Sequence, residues 1–104
     1  MVDVFPEWKP NKSTIRKIKS FNESERYKAL RNSCSTFTRR ADVRRYIFSR
    51  DGFCCQKCGS GDSLTIDHIN SVYKAATGKY DYMKLNTSEN LVTLCNLCNG
   101  GKLP

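Results

Sequence analysis

Histidine is almost missing from this sequence: His68 is the only one in 104 residues, so any imidazole chemistry must pass through that single ring. Long apolar runs are missing too. No stretch approaches the 18 or so apolar residues of a membrane span, so no membrane partner is expected. The opening Met-Val-Asp-Val-Phe-Pro-Glu-Trp-Lys has no basic stretch followed by an apolar run, so no signal peptide is expected and a cytoplasmic setting follows. There is no internal repeat and no low-complexity tract. Apolar residues make up only 38%, which limits the core; domains this small commonly need a metal or disulfides.

Excess charge is absent from the second half. Residues 51–104 hold 5 Lys/Arg against 5 Asp/Glu, whereas residues 1–50 hold 13 against 5. The whole net charge of +8 therefore lies in the first half, the electrostatic footprint of a polyanion binder. The duller reading of the same charge is a solubilising surface.

Against these scarcities stand six cysteines. Four form two CxxC pairs, Cys55/Cys58 and Cys95/Cys98, with 36 residues between them. In a reducing compartment this spacing favours metal over disulfide, and four thiolates make a closed structural zinc set with no open position for substrate. Cys54 competes with Cys55, but only Cys55 gives the two-residue spacing to Cys58. Cys54 is then a small buried or half-buried thiol, and Cys34 a packing residue.

The coarse order of elements follows from capping and periodicity. Residues 1–12, with Phe5, Pro6, Trp8 and Pro10, read as an arm docked by its two aromatics. Thr14–Ser20 allows one or two basic helical turns. Asn22 with Glu25 three residues on resembles a capping box opening a helix over about 23–33, and Ser33–Thr38, rich in hydroxyls, reads as a turn. A second helix from Thr38 or Arg39 to about Arg50 carries Val43, Tyr46 and Ile47 on one stripe. Arg39, Arg40, Arg44 and Arg45 lie off that stripe and are candidate DNA contacts, or simply a solvated face. Asp51-Gly52 stops the helix. Residues 53–60 form a metal knuckle, and Leu64–Ile69 alternates as a short strand. Residues 70–88 read as a long connection interleaving Tyr73, Tyr80 and Tyr82 with lysines. Asn90–Leu94 is a second strand, and Cys95–Lys102 a short terminal helix weakened by two glycines.

Arg50–Gly59, Asp67-His68-Ile69 and Asn90–Lys102 together resemble the HNH endonuclease family, in its cysteine-rich branch. The resemblance covers about residues 41–104 and leaves residues 1–38 unassigned. It implies a small α+β fold: a ββα-metal core stapled by the four-cysteine zinc site, with a basic helical N-terminal extension. Two units are expected, an arm and helix over 1–38 and the nuclease domain over 39–104. The resemblance also implies site roles. His68 is the general base, Asp67 a ligand of a catalytic divalent metal, and Asn90 a brace for the loop that orients the histidine. Asn99 stands where the family usually has histidine, making this an H-N-N variant.

Chemistry supports those roles from a second direction. An unperturbed imidazole titrates near about 6.5 and can take a proton from water at neutral pH. Asp67 and Asn99 offer oxygen, a hard donor set that favours Mg²⁺ or Mn²⁺. On the last helix Cys95, Cys98, Asn99 and Lys102 share a side, so zinc helps aim Asn99, and Lys102 can meet a phosphate. One tension remains, because strand alternation sends Asp67 and His68 to opposite faces. Either the strand ends or bulges between them, or they flank the scissile phosphate from two sides. The functional expectation is a metal-dependent DNA endonuclease. Its rivals are a non-catalytic zinc-ribbon nucleic-acid-binding module and a domain that cuts only as a homodimer or within a larger nuclease assembly.

Overall fold

A computed structural model describes residues 4–100. Among them, five α-helices and one two-stranded antiparallel sheet make a small α+β fold, in the order α1 (Lys12–Ile18), α2 (Glu23–Thr38), α3 (Ala41–Arg50), β1 (Leu64–His68), α4 (Val72–Ala76), β2 (Leu91–Cys95) and α5 (Asn96–Gly100). Single 3-10 turns occupy Tyr82–Lys84 and Ser88–Asn90, so the connection over 70–88 is shorter in irregular chain than its polar sequence suggests. None of these helices is long and apolar enough to cross a membrane.

The helical half follows from caps and buried stripes. Asn11 accepts the Thr14 N–H at 2.8 Å, which starts α1 two residues earlier than expected. Asn22 accepts the Glu25 N–H at 3.1 Å, as the capping pattern predicts. The turn expected over Ser33–Thr38 does not form, and α2 runs through it. Leu30, Cys34 and Phe37 recur at helical spacing and are all buried, which holds the segment helical. Its hydroxyls turn back onto the helix instead of breaking it: Thr36 donates to the Asn32 carbonyl and Thr38 to that of Cys34, each at 3.0 Å. The arm docks as its aromatics suggest. Trp8 is buried and donates its indole N–H to Ser33 Oγ at 3.0 Å, while Phe5 packs edge-on against Phe37 and Tyr46.

One hydrophobic cluster joins the N-terminal helices to the rest of the chain. Ile18, Leu30 and Phe37 meet Val43, Ile47, Ala76, Leu85 and Leu91 in it. α3 ends at Arg50, and Gly52 takes φ +72°, the left-handed conformation that glycine adopts without strain. Arg50 then ties α3 to the sheet. It pairs with Asp51 and donates to the carbonyls of Ser88 and Leu91, both at 2.7 Å. Asp51 in turn accepts the Thr93 N–H at 2.9 Å, so the middle of β2 is hung from the end of α3.

Candidate active site and metal centre

The CxxC pairs fold as two facing knuckles. The chain reverses at Cys55, whose N–H donates to the Ser60 carbonyl at 2.7 Å, and Gly59 (φ +81°) supplies the left-handed residue of that turn. The Gln56 N–H donates to the Thr93 carbonyl at 3.0 Å, which lays the first knuckle against β2. The second knuckle is the end of β2 running into α5. The four Sγ atoms of Cys55, Cys58, Cys95 and Cys98 lie within 4.8 Å of one another, with Cys58 and Cys95 at 3.6 Å. A tetrahedral zinc with Zn–S bonds of about 2.3 Å needs sulfurs about 3.8 Å apart, so the cluster fits that ion. Cys54 falls outside it, half-buried, with its Sγ 3.5 Å from the Asp51 carbonyl; the competition goes to Cys55.

The thiol chemistry points the same way. Burial pushes Cys55 up, but backbone N–H groups of Cys95, Cys58 and Lys57 outweigh it and bring this thiol down to about 6. The Ser60 N–H lowers Cys58, yet hydrogen bonding to Cys95 and Cys55 leaves it raised, and contacts with Cys95 and Cys58 push Cys98 up to about 12. Four sulfurs this close cannot ionise together unaided; a bound dication removes that repulsion.

Between the knuckles, β1 pairs with β2 in unbroken register from Leu64↔Cys95 to His68↔Leu91. There is no bulge between Asp67 and His68, so alternation places them on opposite faces. Asp67 shares its face with Thr65. There the hydroxyl of Thr65 donates to the Leu94 carbonyl and accepts from Asn99 Nδ2, both at 2.9 Å. The amide nitrogen of Asn99 is thus committed to Thr65, and its Oδ1 is the end left to serve as a donor to a cation. Asp67 and Asn99 are brought to one side of β1, and their oxygens suit a hard divalent ion.

On the other face His68 is half-buried, with Nε2 2.8 Å from Oδ1 of Asn86. Asn90 is 2% exposed and knots the strand ends together. Its Oδ1 accepts from the Asn70 backbone and side chain at 2.8 and 3.2 Å, and its Nδ2 donates to the carbonyls of Asn70 and Leu85. Neither Thr65 nor Asn86 stood out in the sequence. A threonine in a strand and an asparagine in a polar connection carry no local signal of what they touch.

The arginines are placed less uniformly than their charge suggests. Arg44 lies over the Phe48 ring and reaches the Leu64 carbonyl at 3.4 Å, and Arg40 is paired with Asp42. Arg39 donates to the Ser35 carbonyl at 3.2 Å, while Arg45 is exposed. Lys102 lies outside the described residues. Of the tyrosines, Tyr80 and Tyr82 pack partly against the core, and the half-exposed Tyr73 stands edge-on to Tyr27.

Residues 55–103 match the HNH endonuclease family. That segment, just under half of the chain, is similar to an HNH endonuclease domain. The matched segment begins at the first cysteine knuckle and takes in β1, the turn ending at Asn90, β2 and α5, and so every candidate site residue from Asp67 to Asn99. Comparison with curated proteins gives no match, and comparison with solved structures gives none either. HNH proteins are generally nucleases that act on nucleic acids, so the match suggests a nuclease-type function, and the four-cysteine cluster is compatible with a structural zinc.

Proposed function

We propose that the chain is a metal-dependent DNA endonuclease that hydrolyses phosphodiester bonds. The observation that carries this reading is the placement of Asn99 against Thr65 on the face of β1 that bears Asp67, with His68 on the opposite face, inside a matched HNH segment. His68 acts as general base: its imidazole takes a proton from the water that attacks phosphorus as the bond to the 3′-oxygen breaks. Asp67 and Asn99 would hold Mg²⁺ or Mn²⁺, which when bound offsets the charge gathering on the phosphoryl and leaving oxygens. Asp67 and His68 flank the scissile phosphate from two sides of the strand end. Asn90 keeps that end closed through its hydrogen bonds to Asn70 and Leu85. The four cysteines hold zinc outside the chemistry and fix the direction in which Asn99 points.

The duplex is held by the basic half. Arg39, Arg45 and Lys102 contribute phosphate contacts, Arg40 and Arg44 add positive potential from their packed positions, and Lys9, Lys17 and Arg40 line a cleft of about 450 Å³ beside α1 and α2. Plasmid DNA incubated with Mg²⁺ or Mn²⁺ tests the reading. The zinc-loaded protein should nick or cut it, and His68→Ala should lower the rate by at least about a hundredfold, within the range general-base groups contribute. If both proteins bind DNA and neither breaks it, the zinc-ribbon binding reading replaces this one.

A further inference from the structure

We propose that Cys34 and Asn86 are positioning residues that fix the tautomer of His68, so that helix α2, outside the matched family segment, is part of the catalytic apparatus. The proposal rests on the reading of His68 as the base. Its geometry is a three-residue chain. Asn86 donates from Nδ2 to Cys34 Sγ at 3.4 Å and presents Oδ1 to His68 Nε2 at 2.8 Å. Cys34 and Asn86 are 2% and 3% exposed, so the contact between them is closed to water, while the His68 end is part-buried.

The direction of the hydrogen bonds decides the tautomer. An amide whose NH₂ is committed to sulfur can only accept at its oxygen, so the ring nitrogen facing it must be the one that carries hydrogen. In that tautomer the lone pair of the neutral imidazole lies on Nδ1, the basic nitrogen of the ring. The sulfur remains a neutral acceptor at physiological pH, because burial raises the Cys34 thiol to about 11 against the smaller, opposing effect of the Asn86 hydrogen bond. Cys34 also sits in the hydrophobic cluster with Leu30 and Phe37. The far end of the chain of contacts is therefore anchored in the buried core, 34 residues before the histidine it positions.

His68 being the only histidine makes the test direct, since ring ¹⁵N–¹H spectra contain one imidazole. In zinc-loaded protein at about pH 8, where an ordinary imidazole is neutral, the Nε2 proton should be visible and protected from solvent exchange. Asn86→Leu, close in size but without an acceptor, should abolish that protection and lower kcat for DNA cleavage about 10- to 100-fold, with KM unchanged within about twofold. Cys34→Ala should speed exchange of the same proton, and Cys34→Ser, which restores an acceptor for the amide, should slow it again. That pair decides the matter if Asn86→Leu does not fold. A wild-type ring with no protected Nε2 proton, or equal protection in wild type and all variants, overturns the proposal. The spectra require no turnover, so a protein that shows the protected proton but cuts no DNA would defeat the nuclease reading alone.

Discussion

Removing the zinc should open one side of this molecule and leave the other folded. Structural zinc in small domains contributes on the order of 10 kcal/mol, comparable with the roughly 5–15 kcal/mol that holds a whole domain together. The structure says where the loss falls. The hydrophobic cluster is built on α1, α2 and α3, and Leu91 is the sheet's only member among its buried residues. The sheet itself is a single five-residue pairing, and a two-stranded sheet is marginal in water without further support. A high-affinity chelator, or Cys58→Ser, should therefore strip amide-exchange protection from β1, β2 and α5, while Glu23–Thr38 keeps most of its own. Elemental analysis should first show about one zinc per chain, and Cys54→Ser should leave that stoichiometry unchanged. If the metal is demonstrably gone and Leu64–His68 and Leu91–Cys95 exchange as slowly as before, the knuckles are not what holds the sheet. Asn99 would then owe its direction to contacts other than zinc, Thr65 first among them.

Other expected outcomes follow from single contacts. Thr65→Val removes the acceptor that commits Asn99 Nδ2; cleavage should fall about 10- to 100-fold and the Mn²⁺ needed for half-maximal rate should rise, while the melting temperature shows any stability cost separately. Because Cys34 titrates near 11 in the fold against an ordinary 9.0, the folded state holds its proton more tightly than the unfolded chain. That contribution is complete below about pH 9 and is lost as pH rises from about 9 to about 11, on the order of 2 kcal/mol in urea titrations, and Cys34→Ala should flatten that segment. Arg50→Ala strands the carbonyls of Ser88 and Leu91 and should cost about 1.5 kcal/mol, a fall of roughly 6–12 °C in Tm by calorimetry. An unchanged Tm would mean that water replaces the guanidinium at no cost.

What could be read from the chain alone was local. The two CxxC spacings announce a metal cluster because a two-residue gap in a tight turn already puts paired sulfurs on one side. Asn22 announces a cap, and the alternation of Leu64–His68 a strand, because both are properties of a few consecutive residues. Residues 33–38 misled for the same reason. Their hydroxyls suggest a turn to any local rule, yet Cys34 and Phe37 are helical because they bury against α3 and the arm, contacts that periodicity in one short segment does not reveal.

The sequence by itself therefore determined the chemistry available: one imidazole, four thiols at metal spacing, two oxygen donors for a cation and a basic half. Only the tertiary structure decided how those groups are aimed. Thr65 reaches Asn99 across 34 positions, and Asn86 joins Cys34 to His68 across 52 and 18. Side-chain hydrogen bonds of that span leave no trace in composition or period, because each end is an ordinary polar residue until folding brings its partner within about 3.5 Å.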